Sequence, residues 1–82
     1  MKIIFRIKVR RNSSLYQFFQ GEAKLVRAIC GTPVSGTDLG NDVWKLETSK
    51  DIKSQFVKSW AEFMKGVLKN DLGDVMSEKI IE

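Results

Sequence analysis

Lys2-Ile3-Ile4-Phe5-Arg6-Ile7-Lys8-Val9-Arg10 is the stretch whose reading decides the fold. Ile3, Phe5, Ile7 and Val9 recur at a period of two, and Lys2, Ile4, Arg6, Lys8 and Arg10 fall between them. Alternation of this kind defines a β-strand with one buried face and one wet face. Such a strand belongs in an antiparallel or mixed sheet covered on one side only.

The wet side of that strand is also where the charge collects. Residues 1–35 carry a net +6 from Lys2, Arg6, Lys8, Arg10, Arg11, Lys24 and Arg27 against Glu22 alone, whereas residues 36–82 carry −2. The total of +4 is therefore one basic end joined to a near-neutral remainder. A basic end of this kind points to a polyanion or an acidic partner.

After the strand, Arg11-Asn12-Ser13 leads to Ser14, which forms a capping-box pattern with Gln17. Leu15, Phe18, Phe19, Leu25, Val26 and Ile29 recur at helical spacing, and Gly31 suits the C-cap, so a first helix is predicted from Ser14 to Cys30. Glu22 falls inside its apolar arc, and a kink at Gly21 is expected to carry it to the rim. The solvent face of this helix presents Gln17, Gln20, Lys24 and Arg27.

Residues 31–42 hold three of the six glycines and the only proline, which is turn chemistry. Short strands are expected at Val34–Thr37 and Val43–Glu47, with a reversal at Asp38, Gly40 and Asn41. Trp44 and Leu46 share a face and are expected to be buried. Thr48 with Asp51, or Ser49 alone, is predicted to cap a second helix. Its central stripe is Ile52, Phe56, Trp60, Phe63 and Val67, widened by Val57, Met64 and Leu68. That arc exceeds the ~100° a surface helix needs, so a homodimer through this face is one expectation. Asn70-Asp71-Leu72-Gly73 ends the helix. The tail, 70–82, reads either as a short helix or as an edge strand built on Lys79-Ile80-Ile81, and the spacing of Leu72, Val75, Met76 and Ile80 favours the helix.

The order β-α-β-β-α plus a tail predicts one α+β domain over residues 1–82. It is a two-layer sandwich with its helices on one face of a small antiparallel or mixed sheet, a split pattern that a C-terminal strand would complete as a ferredoxin-like fold. Cys30 is the only cysteine, so no internal disulfide forms, which suits a reducing cytoplasmic setting. No apolar run is long enough for a signal peptide or a membrane span.

Composition also bears on chemistry. The chain has no His, and Cys30 has no His partner. The stretch Gly31–Gly40 lacks the Gly-Lys-Ser/Thr ending of a phosphate-cradling loop. Asp38 with Asp42, and Asp71 with Asp74, sit beside turn residues where Asp serves local backbone bonding. A non-enzymatic protein with neither cofactor nor metal is expected.

The basic residues form the more specific constellation. Arg6, Lys8 and Arg10 would project from one strand face at steps of roughly 7 Å, close to the phosphate repeat of an extended single strand. Arg11, Lys24 and Arg27 would cluster at the start of the first helix, whose free N–H groups attract anions, and Lys45 joins them from the sheet. RNA or single strands are favoured over duplex DNA, because neither helix is basic enough to read a major groove. Of the aromatics, only Tyr16 and Trp44 have a claim to exposure, so the contact would be to backbone rather than to bases. The rival expectation is an inhibitor or antitoxin-like regulator that docks its basic end on an acidic protein surface.

Overall fold

The computed structural model describes residues 1–12, 24–29 and 31–82, with 24–29 given by backbone and register. The elements are β1 (Lys2–Val9), β2 (Lys24–Ile29), β3 (Thr32–Gly40), β4 (Val43–Thr48), α1 (Val57–Asp71) and β5 (Gly73–Ile81). The five strands form one antiparallel sheet in the order β2-β3-β4-β1-β5.

Alternation in β1 does what it predicts. Ile3, Phe5, Ile7 and Val9 are buried, joined by Trp44 and Leu46 from β4 and Val34 from β3. On this covered face α1 contributes Val57, Ala61, Met64 and Leu68, with Ile52 and Leu72 completing the core. The protein is thus a two-layer α+β domain, and no described element covers the opposite, open face of the sheet.

A tight turn joins β3 to β4. Gly40 pairs with Val43, leaving Asn41 and Asp42 as a two-residue loop with φ of 54° and 62°. Positive φ at both central residues is the requirement of the hairpin turn whose twist matches its strands. Asp38 Oδ1 accepts from the Gly40 amide at 2.8 Å, the local backbone role expected of an Asp in a turn. Ile29 pairs with Thr32 at the start of β3, and Gly31 just before it has φ 76°.

Several expectations are corrected here. The predicted first helix does not reach Cys30, because Lys24–Ile29 is a strand paired along its length with β3. Pairing with β3 overrides the helical spacing of Leu25, Val26 and Ile29. Its earlier part, including Ser14, Tyr16, Gln17, Gln20 and Glu22, lies outside the described residues, as does Cys30. The described order is therefore β-β-β-β-α-β. The strand expected at Val34–Thr37 is longer, spanning Thr32–Gly40.

The second helix starts later than its predicted caps. Thr48 ends β4 instead, where its buried hydroxyl accepts from the Ile3 amide at 3.0 Å. Ser49 Oγ lies 2.7 Å from Ser35 Oγ. The chain then runs extended past Ile52, whose amide donates to the Met1 carbonyl at 2.7 Å, before turning into α1. The tail is an edge strand, not a helix. Gly73 permits this: a Cβ there would lie 2.0 Å from the Lys8 carbonyl oxygen, so only glycine lets β5 leave the helix and lie against β1.

Candidate nucleic-acid interface

The open face is assembled by register. Arg6 lies directly opposite Lys45 on β4 and Ser77 on β5. Lys45 in turn lies opposite Thr37, and Thr37 opposite Lys24. One transverse row therefore runs Lys24, Thr37, Lys45, Arg6, Ser77 across all five strands. The next row holds Ser35, Glu47, Ile4 and Lys79. The third holds Val43, Lys8 and Asp74.

Counting β1, β4 and β5, this face presents Lys2, Arg6, Lys8, Lys45 and Lys79 against Glu47 and Asp74. Arg6 and Lys45 sit side by side with like charge, an arrangement that disfavours folding. Among the described residues neither of them is held in an ion pair.

The rest of the expected ladder is differently employed. Lys8 is exposed, and its Nζ donates to the Asn41 carbonyl at 2.5 Å, which leaves its charge on the face. Arg10 turns away to the end of α1, donating from Nη2 to the carbonyls of Lys69 and Asn70 at 2.6 and 3.1 Å. Its Nη1 lies 3.7 Å from Asp74. A guanidinium on the last carbonyls of a helix satisfies orphan acceptors and complements the dipole. Arg11 pairs through Nε with Asp42 Oδ2 at 3.2 Å, so its charge is offset locally.

The cluster predicted from Arg11, Lys24 and Arg27 does not form as described. Lys24 and Arg27 share a face on a helix, but β2 is a strand, and positions three apart alternate. Lys24 keeps a register position in the open-face row, whereas Arg27 lies opposite Val34, a residue of the covered face. Sequence reasoning passed over Lys2 and Lys79. The signal for Lys79 was present in Lys79-Ile80-Ile81, the β-like end of the tail.

The described aromatics sit elsewhere. Trp44 is buried as expected, at 5% exposure. Phe56 and Phe63 are exposed at 48% and 58%, contrary to the expectation that only Tyr16 and Trp44 could be. The reason is rotation of α1: its core stripe is Val57, Ala61, Met64 and Leu68, one residue on from the predicted centre. Phe56, Trp60 and Phe63 therefore flank the core, with Trp60 and Phe63 edge to face at 6.0 Å. This aromatic group belongs to the helix layer, across the sheet from Arg6 and Lys45.

Among the described residues no three His, Cys, Asp or Glu side chains converge on a point. No described helix is long and apolar enough to cross a membrane.

Fold and surface together define a small α+β protein with an open, basic sheet face. No family model matches the chain, and comparison with curated proteins and with solved structures finds no match.

Proposed function

We propose that the open face binds the phosphate backbone of RNA or single-stranded nucleic acid, without catalysis. The observation that carries this reading is the Arg6–Lys45 pair, two like charges placed directly opposite without an ion-pair partner among the described residues. Solubility alone calls for no such pairing, since alternating signs would serve it and favour the sheet. A phosphate bridging the two would remove the repulsion. Lys8 and Lys79 extend the surface along the strands, and Lys24 and Lys2 bound it. The aromatics of α1 lie on the other layer, so backbone contact rather than base stacking is the expected mode.

Arg10 and Arg11 have structural partners, which makes them poor probes of binding. The informative variant is Arg6→Gln/Lys45→Gln. Affinity for single-stranded RNA should fall steeply with salt in the parent. The slope of log K against log salt should be shallower by about 1.4 in the double variant, from two lost phosphate contacts. Equal affinity and slope in both proteins would sink the proposal.

A second reading, docking of the basic face on an acidic protein surface, is favoured by the same Arg6–Lys45 pair, since a partner's carboxylate would relieve that repulsion as a phosphate would. The absorbance ratio of the purified protein at 260 and 280 nm separates the two. Co-purifying nucleic acid supports the first reading, and a clean protein that retains one acidic partner supports the second. For the fold, we infer a ferredoxin-like arrangement with β2 added at its edge. The order β3-β4-β1-β5, with α1 linking strands on either side of β1, supports it.

A further inference from the structure

We infer that β5 is a self-association edge, pairing antiparallel with β5 of a second copy of this chain. β5 ends the sheet order, and no strand of the described residues pairs with its outer side. At nine residues it is long for an edge, where ordinary strands run about five or six. An unpaired row of N–H and C=O groups of that length is a template for another strand. It also carries Met76, Ile80 and Ile81, which are 59%, 37% and 37% exposed.

Edges that are kept apart carry charge and irregularity. β5 has one lysine, Lys79, and one bulge, where Arg6 pairs with Ser77 and Ile7 with Val75 so that Met76 is the extra residue. Both features fit pairing with a second copy. Set Asp74 opposite the second copy's Lys79, and two-fold symmetry sets Lys79 opposite the second copy's Asp74. Asp74 pairs with Lys8 and Lys79 with Ile4 inside the sheet, so both belong to the open face and the charges meet on one side.

The same register places Val75 opposite Glu78 and Gly73 opposite Ile80, all four positions on the covered face. The two Met76 bulges then flank the symmetry axis, each opposite a Ser77. Because the bulge lies at the centre, the faces match on both sides of it. The partner is a copy of this chain because the edge complements itself. Two sheets would join into one of ten strands, independently of what the open face binds.

Sedimentation velocity across a wide concentration range tests this. The parent should dimerise. Asp74→Lys and Lys79→Asp should each weaken dimerisation about tenfold, since each creates two like-charge pairs by symmetry, and the combined swap should restore it. Lys79 is exposed and is held in no ion pair among the described residues, so Lys79→Asp carries the test if loss of the Arg10 partner unfolds Asp74→Lys. Phe63→Ser, on the helix, should leave the dimer intact. A monomer at every concentration, a dimer indifferent to the single swaps, or a dimer lost with Phe63→Ser would each overturn the inference.

Discussion

Single atoms decide several features of this chain. The hydrogen of Gly73 stands where a methyl group would meet the Lys8 carbonyl oxygen at 2.0 Å and the Val9 Cα at 2.8 Å. Backbone offers no rotamer by which to escape, so Gly73→Ala should destabilise the fold by about 3 kcal/mol, measured by urea unfolding. Thr48 is a quieter case. Its hydroxyl satisfies the Ile3 amide in a buried site, and Thr48→Val keeps the shape while orphaning that donor, at a cost of about 1–3 kcal/mol. Equal stability of parent and variant would show that the bond contributes nothing. Lys45→Thr should act in the opposite direction, relieving the repulsion with Arg6 and adding about 0.5 kcal/mol of stability, while weakening RNA binding. A surface kept only for solubility would show the first effect without the second.

Elements were legible where one periodicity had no competitor. β1 alternates at every apolar position except Ile4, which sits on the wet face, and it folds as read. Val43–Glu47 and the reversal at Gly40-Asn41 were equally plain, because positive φ and strand alternation leave clear marks. Lys24–Ile29 was not, since apolar residues at Leu25, Val26, Ala28 and Ile29 satisfy both a helix and a buried strand. Gly31 could not arbitrate: a helix C-cap and a hairpin turn ask the same positive φ of it. The start of α1 was missed because Thr48, the apparent cap, had a stronger use in the sheet. The open-face site was legible to the same degree. Alternation showed Arg6 and Lys8, but the opposition of Lys45 to Arg6 is a matter of register, which no local pattern records. Within α1, Lys65 joins the layers, its Nζ lying 2.7 Å from Glu78 of β5 and 3.1 Å from Glu62. Hydrogen bonding to Glu78, then to Glu62, raises its pKa above the ordinary 10.5. The folded ammonium is held more tightly than the unfolded one, so this stabilisation is complete below about 10.5 and disappears as pH climbs through the folded value. Glu78→Gln should move the Lys65 titration, followed by NMR at its Cε, back toward the ordinary value.

At the scale of the whole molecule, the described residues set the Arg6–Lys45 pair and the exposed Phe56 and Phe63 on opposite layers. The asymmetry between the two halves of the sequence becomes, in three dimensions, an asymmetry between two faces. β1 brings Arg6 and Lys8 to the centre of the sheet, and the near-neutral half returns to supply Lys45 and Lys79 beside them. The central position of β1 has a further consequence for synthesis. It is made before either neighbour, yet it can be housed only after β4 and β5 have been translated. Until then its stripe of Ile3, Phe5, Ile7 and Val9 is bare on a nascent chain, a segment with the hydrophobicity and β-propensity that aggregates. Arg6 and Lys8, spaced between those apolar residues, are the gatekeepers such a segment needs. The same cations that line the finished face therefore guard the strand while it waits on the ribosome.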